Sequence, residues 1–247
     1  MVETFYELPV PATIALAADL HNAEPAPALA SLRARRPALI CVAGDLIRGG
    51  ARNATPIDEA QPNVLPFLRS CAAIAPTFVS LGNHEWPLTP EDIDAMGRTG
   101  ARVLDNAWAE LEIRGEQIAV GGLTSGYAVR SRRLGAEEPG NRRHNRPDTA
   151  WLTAFERLPG FRLLLCHHPE YYPEYLASRD VDLVLAGHAH GGQWRFFNRG
   201  VYAPGQGLWP RLTGGVHGRL VVSRGLSNTT RIPRINNPTE LVYIRRP

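Results

Sequence analysis

Five short apolar runs, each followed at once by polar residues, limit the fold of this chain more than any other feature of its sequence. The runs are Thr13–Ala18, Ala38–Ala43, Thr77–Leu81, Phe161–Cys166 and Val181–Ala186. Their length suits strands that are buried on both faces of a sheet. Helix-like segments with proline or glycine near their ends lie between the runs, at residues 24–36, 60–74 and 90–98. This alternation predicts an α/β protein.

Shorter or more alternating patterns predict further strands near residues 109–114, 117–123, 193–197, 219–223 and 240–245. The 247 residues contain no linker, low-complexity tract or internal repeat, and 44% of them are hydrophobic. Such a composition excludes wholesale disorder. We therefore predict a single domain over residues 1–247, with a polar loop excursion at residues 126–147.

Two features of the sequence bear on its cellular compartment. The apolar runs are far shorter than the roughly 20 residues that cross a bilayer, and the first eight residues carry two glutamates and no basic residue. We expect no transmembrane segment and a cytoplasmic location, while peripheral contact with a membrane stays open. Cys41, Cys71 and Cys166 stand singly within apolar stretches, which predicts buried thiols rather than disulfides or a thiolate zinc site.

The polar groups that end the five runs carry most of the chemical information. They are Asp19-Leu20-His21, Gly44-Asp45, Gly82-Asn83-His84-Glu85, His167-His168 and Gly187-His188-Ala189-His190. Six of the eight histidines lie in these groups. Because ligands of open α/β sheets bind at the carboxyl ends of the strands, we expect these side chains to meet at one edge. The glycines suit tight exits where the backbone passes close to a ligand.

The residue types in these groups indicate which metals would bind. Carboxylate, imidazole and amide donors without thiolate suit divalent ions such as Mn, Fe, Zn, Ni or Co. The one-residue spacing within Asp19-Leu20-His21 and His188-Ala189-His190 directs both side chains of each pair to the same side. Seven candidate ligands exceed the needs of one catalytic ion, but they suit two ions about 3.5–4 Å apart. Asp45 is the natural bridge.

The ordered series from Asp19 to His190 resembles the motifs of the calcineurin-like metallophosphoesterases. The later His190-Gly191-Gly192-Gln193 and Ser223-Arg224-Gly225 are similar to the bacterial branch of YkuE- and YaeI-like phosphoesterases. This resemblance implies a four-layer αββα sandwich of two mixed sheets flanked by helices, with a two-metal site between the sheets. It implies one ion held by Asp19, His21 and His190, a second held by Asn83, His167 and His188, and a bridge at Asp45. His84 would then face the substrate.

The same residues allow a two-metal phosphoester hydrolase in which a metal-bridging hydroxide attacks phosphorus in line. His84 is the candidate general acid, and Glu85 is a candidate orienting residue behind the ligands. We expect a small-molecule phosphoester as substrate, with a phosphodiester or pyrophosphate-type bond in a nucleotide- or lipid-linked compound. The alternatives are a hydrolase of the same fold that acts on nucleic acid or phosphoprotein, and a metal-binding regulator without turnover. The sequence predicts no obligate nucleic-acid partner and leaves the oligomeric state open.

Several residues outside the ligand series have two interpretations. The choice between His167 and His168 as ligand stays open, and His168 is otherwise a candidate substrate contact. Residues 195–247 contain nine arginines and one glutamate, and Arg195 is a weak candidate for substrate binding. Tyr202, Leu208 and Trp209 fit either ordinary packing or an apolar wall for the substrate. A lid and a solvated charged loop are the alternatives for the arginines at positions 130, 132, 133, 142, 143 and 146.

Overall fold

A computed structural model describes residues 1–49, 55–128, 146–230 and 232–247. The strands are β1 (Val2–Glu7), β2 (Ile14–Ala17), β3 (Leu39–Ala43), β4 (Thr77–Ser80), β5 (Arg102–Leu104), β6 (Ala107–Ile113), β7 (Glu116–Leu123), β8 (Phe161–Cys166), β9 (Leu183–Ala186), β10 (Arg195–Phe196), β11 (Arg199–Gly200), β12 (Tyr202–Ala203), β13 (Gly207–Leu208), β14 (Gly215–His217), β15 (Leu220–Val222) and β16 (Glu240–Arg245). The α-helices are α1 (Ala26–Arg35), α2 (Ile57–Ala60), α3 (Val64–Ile74), α4 (Pro90–Gly97) and α5 (Leu152–Phe155).

Two six-stranded mixed sheets form the centre of the molecule. The first has the order β1-β16-β2-β3-β4-β5 and the second the order β14-β15-β9-β8-β7-β6. Within each sheet the neighbouring strands β2-β3-β4 and β7-β8-β9 run parallel. The carboxyl ends of the predicted strands therefore lie together at one edge of each sheet, where the polar groups follow.

Alternation along the buried strands explains why the sheets stack with helices outside. In β3, Ile40 and Val42 pack toward α1 and α3, whereas Leu39 and Cys41 pack into the core between the sheets. β8 divides in the same way, since Leu163 and Leu165 join the inter-sheet core and Leu164 packs on the side of α5. Side chains that alternate between two apolar surroundings require a layer on each face. The α/β fold and the four-layer αββα arrangement are confirmed.

Local signals at the helix ends match the helices that form. Pro90 occupies the first turn of α4, and Thr89 and Asp92 exchange the two hydrogen bonds of a capping box before it. The five apolar runs all contain strands, and the cysteines are buried as predicted. Among the described residues, no helix is both long and apolar enough to cross a membrane.

Sequence patterns missed β1 and misjudged the region after residue 192. The strand β1 reads VETFYE and is only partly buried, and it pairs with β16 at the far end of the chain. The strand predicted at residues 193–197 is shorter, because β10 turns back at once to pair with β11. The loop excursion predicted at residues 126–147 lies mostly outside the described residues, as do its arginines apart from Arg146.

Candidate metal centre

The segments that leave the strands have unusual backbone conformations at the predicted ligands. Asp19, His21, Asp45, His188 and His190 all have positive φ angles, between 45° and 65°. Aspartate and histidine tolerate this left-handed region better than most residues, but each such residue still costs free energy. The backbone strain is therefore concentrated where these side chains meet.

Close approach of the backbone explains two of the predicted glycines. A Cβ atom on Gly82 would lie 2.2 Å from Asp45 Oδ1, and one on Gly187 would lie 2.7 Å from Asp19 Oδ2. No side chain larger than hydrogen fits at either position without moving a carboxylate. Gly82 thus lets two loops of the first sheet approach each other, and Gly187 lets a loop of the second sheet reach Asp19 of the first.

Asp45 lies at the centre of the site. Its Oδ2 atom is 3.0 Å from His167 Nε2, 3.7 Å from His21 Nε2 and 3.8 Å from His84 Nε2. The carboxylate is almost fully buried. It therefore contacts histidines from both sheets, since His21 and His84 follow strands of the first sheet and His167 follows β8 of the second.

Asp19 makes a similar set of contacts on one side of Asp45. Its Oδ1 atom is 3.6 Å from His190 Nε2 and 3.8 Å from His21 Nε2. The donor atoms of these three residues all lie within 4.8 Å of one another, as do those of Asp45, His167 and His188. The first group (Asp19, His21 and His190) and the second group (Asp45, His167 and His188) thus bring six of the seven predicted ligands together. Two further groups of the described residues meet the same distance limit: His21, Asp45 and His84, and His168, Glu170 and His188.

The donors present fit divalent ions. His21 Nε2 and Asn83 Oδ1 are buried and have no hydrogen-bond partner, which is costly for polar atoms unless a ligand satisfies them. The opposite nitrogen of His21 lies 3.1 Å from the carbonyl of Ile47, and Nδ1 of His167 lies 2.7 Å from that of Ala43. In each ring a proton on Nδ1 leaves Nε2 free to bind an ion.

The ionisation of the buried aspartates and histidines also bears on cation binding. Burial opposes ionisation of Asp45, yet the neighbouring imidazoles, His167 first, hold its pKa well below the usual range. Burial also opposes ionisation of Asp19, but its pKa is lowered in the same way, mainly by His190. Burial lowers the pKa of His190 to about 4. Burial opposes protonation of His167, yet Asp45 and Asp19 raise its pKa to about 10. Without an ion the buried carboxylates are therefore paired with a protonated imidazole, and a divalent cation that binds there would take the place of that proton.

Glu85 holds the loop that carries Asp45. The Glu85 carboxylate accepts hydrogen bonds from the backbone N–H groups of Gly82 at 2.7 Å, Asp45 at 2.9 Å and Leu46 at 2.7 Å. Burial, with the charge of Asp45, raises the pKa of Glu85 to about 7, whereas the backbone donors favour its ionised form. These contacts fit the predicted role of Glu85 as a residue that orients the loop of the candidate ligand Asp45.

His168 lies in a polar network beside the second group rather than against Asp45. Its Nδ1 atom is 3.0 Å from Glu170 Oε1, and its Nε2 atom is 2.8 Å from Ser125 Oγ. Glu170 Oε1 also lies 3.6 Å from His188 Nε2. Sequence reasoning missed Glu170 and Ser125, although Glu170 stands only three residues after His167 and offered a signal.

The loop before β16 supports the first group, and sequence reasoning missed it as well. Arg234 Nη2 lies 3.0 Å from His190 Nδ1. Ser227 Oγ donates to the carbonyl of Asp19 at 2.8 Å, and Asn237 Nδ2 donates to the carbonyl of His190 at 2.7 Å. No short-range pattern links these residues to His190, which lies more than 35 positions earlier.

The segment after His190 contains the candidate substrate contact Arg195 and three apolar residues that fitted either packing or a wall for the substrate. The guanidinium of Arg195 donates to the carbonyl of Gly191 at 2.9 Å and to Thr213 Oγ1 at 3.0 Å, so it joins its own segment to the segment before β14. Tyr202, Leu208 and Trp209 are 53%, 71% and 59% exposed. Ordinary packing is therefore the wrong interpretation for these three side chains, because they lie on the surface.

The sandwich of two mixed sheets, with clusters of aspartate and histidine buried where strands of both sheets end, defines the class of metal-dependent hydrolases. Residues 12–192 match the family described as calcineurin-like phosphoesterase. Since this match covers most of the chain, the chain belongs to that family, whose members are metal-dependent phosphoester hydrolases.

Individual relatives agree with the family match. The chain is 27% identical over 228 residues to the uncharacterized protein YpbG of Bacillus subtilis, covering 90% of this chain and 76% of that protein. It is 29% identical over 201 residues to the phosphodiesterase YaeI of Escherichia coli, covering 77% of this chain and 65% of that one. A solved 5'-nucleotidase precursor from Thermus thermophilus shares the fold with a TM-score of 0.52 at 17% identity. That match covers 75% of this chain but only 43% of the nucleotidase.

Proposed function

We propose that this protein hydrolyses a phosphodiester or pyrophosphate-type bond in a nucleotide- or lipid-linked small molecule, with two divalent ions at the candidate metal centre. Asp19, His21 and His190 would hold one ion, and Asn83, His167 and His188 the other. The position of Asp45 carries the proposal, since its Oδ2 atom approaches both His21 and His167. A carboxylate shared in this way suits a two-ion centre.

When bound, two such ions supply a water of lowered pKa and offset the charge on the phosphoryl oxygens. The residues of the chain supply the rest. Glu85 fixes the loop of Asp45 through backbone hydrogen bonds, and the carbonyls of Ile47 and Ala43 orient His21 and His167. Because these supports are buried, the ligands are held before any substrate arrives.

His84 is suited to donate a proton to the leaving-group oxygen. Its backbone N–H donates to Asp45 Oδ1 at 2.9 Å, and its side chain is about one-third exposed, so a substrate can reach it. Burial lowers the pKa of His84, and the charge of Asp45 only partly opposes this. A neutral imidazole donates a hydrogen bond but not a proton, so His84 acts as a general acid only after it has taken up a proton, which the negative charge of a bound phosphoester favours.

Replacement of His84 tests this division of roles. We expect His84→Asn to lower kcat by about a hundredfold or more, the usual contribution of a general acid, and to leave the metal content close to wild type. Hydrolysis of an activated phosphodiester and the metal bound per chain after dialysis are measured on the same sample. Loss of both ions in the variant would contradict the assignment of His84.

A substrate panel tests the bond type. Phosphomonoesters, cyclic and linear diesters, nucleotide sugars and lipid phosphates are assayed with Mn, Ni, Zn, Mg and Fe in parallel. We expect the rate to be confined to diesters or pyrophosphate-type bonds. A rate confined to nucleic acid, with an affinity that falls steeply as salt rises, would favour the polyanion alternative instead.

A further inference from the structure

The hairpins that follow the metal centre expose an unusual set of aromatic side chains. Phe197 forms the tip of the β10–β11 hairpin and is fully exposed, and Trp209 directly follows β13. Leu208 and Trp209 are 71% and 59% exposed. Several large apolar side chains exposed on neighbouring hairpins mark an interaction site more often than they stabilise a fold.

The backbone conformation at Phe197 and Trp209 is unfavourable for bulky side chains. Phe197 and Trp209 have φ angles of 48° and 54°. A bulky residue in the left-handed region is strained, and the two-residue turn that contains Phe197 favours asparagine or glycine at this geometry. A side chain that costs free energy in the backbone and gains none by burial is explained by contact with something outside the chain.

The charge around the hairpins indicates the chemistry of that partner. Residues 191–239 contain seven arginines and no aspartate or glutamate. Arg199 pairs with Phe196 across the β10–β11 ladder, and Arg211 stands two residues after Trp209; both arginines are exposed. Exposed aromatic rings beside arginine match the interface of an anionic bilayer, where rings sit at headgroup depth and guanidinium groups bind phosphates.

We propose that the β10–β11 and β12–β13 hairpins dock onto the surface of an anionic lipid bilayer, with Phe197 and Trp209 inserted at headgroup depth. A bilayer fits better than a single-stranded nucleic acid, because Leu208, next to Trp209 in the chain, and Ile235 are also exposed, and aliphatic side chains do not stack on bases. Ile235 forms a backbone bridge with Trp194, the residue before β10.

The docking surface adjoins the metal centre. Backbone N–H of Val201 donates to the carbonyl of Gly192, two residues after His190, and a Cβ atom on Gly205 would lie 2.2 Å from Glu170 Oε1. The hairpins are thus built on the loops that carry the candidate ligands. This consequence rests on the proposed function: a bilayer bound there brings lipid-borne phosphoesters next to the site.

Vesicle flotation with the full chain tests the docking. The vesicles contain roughly three parts phosphatidylcholine to one part phosphatidylglycerol, or phosphatidylcholine alone. We expect binding to the anionic vesicles that weakens by about tenfold in Phe197→Asn and in Trp209→Asn, and by about a hundredfold in the double variant. Asparagine tolerates a positive φ, so these variants should melt no lower than wild type.

Phe5→Thr is the matched control. Phe5 is also an exposed aromatic residue flanked by arginines, but it lies on β1 of the first sheet, where threonine keeps the strand propensity. Its binding should equal wild type. The proposal would be overturned if wild type did not bind the anionic vesicles, or if the double variant bound them as well as wild type does. It would also be overturned if the double variant lost oligonucleotide binding or self-association and kept its vesicle binding. Hydrolysis of a water-soluble diester, unchanged in Phe197→Asn, separates this outcome from a failure of the proposed function.

Discussion

The two halves of the metal centre differ in the charged residue that lies beside one histidine of each half, in addition to their aspartates. His190, beside Asp19, has the guanidinium of Arg234 at 3.0 Å from its Nδ1 atom. His188, two residues earlier, has the carboxylate of Glu170 at 3.6 Å from its Nε2 atom. The first group therefore has a cation beside one of its histidines, and the second group has an anion beside one of its own.

This difference bears on how tightly each half would bind an ion. A carboxylate behind a ligating imidazole raises its basicity and fixes its ring, whereas a nearby cation repels the metal. Burial lowers the pKa of both histidines. At His190, Asp19 opposes this effect and Arg234 adds to it; at His188, His168 adds to it and Glu170 opposes it. We expect the second ion to bind more tightly and the first to exchange more readily.

The largest expected effect comes from the carboxylate of the second half. Glu170→Gln should weaken the tighter metal-binding step by about ten- to a hundredfold, the usual cost of losing a carboxylate behind a metal ligand. Titration calorimetry with Mn separates the two binding steps. Glu174→Gln is the control, because Glu174 is exposed on the same segment. An equal loss in the control, or a loss confined to the weaker step, would contradict the comparison.

A smaller change is expected in the first half. Arg234→Gln removes the charge beside His190 while an amide can still donate to the neighbouring loop carbonyls, so the weaker step should tighten by about tenfold or less. The loss of charged hydrogen bonds should also lower the Tm by roughly a few degrees. Arg211→Gln, at an exposed position, should change neither value. If the weaker step loosens in Arg234→Gln, then Arg234 mainly positions His190 and does not repel the ion.

The smallest effect is a pH dependence in the metal-free protein. Burial acts to raise the pKa of Glu170, but the charges of His188 and His168 lower it to about 2. A carboxylate whose pKa falls on folding stabilises the protein above its unfolded pKa, and this stability is lost as the pH falls toward the folded value. The Tm difference between wild type and Glu170→Gln should therefore shrink as the pH drops from about 5 toward 2. A difference that grows in this range would show that Glu170 is not held ionised.

The sequence predicted local features of the fold and site well, and missed those that depend on distant contacts. Runs such as Phe161–Cys166 signal strands because both faces are apolar, and the motif from Gly82 to Glu85 carries its chemistry within four residues. By contrast, β1 forms because it pairs with β16. Arg234 reaches His190 only because the chain returns after β15, and no periodicity records such a return.

Anomalous diffraction from crystals grown with Mn tests the central claim most directly. We expect two peaks about 3.5–4 Å apart on either side of the Asp45 carboxylate, the stronger beside His167 and His188 and the weaker beside Asp19 and His190. A single peak, or two peaks that do not share Asp45, would contradict the two-ion centre.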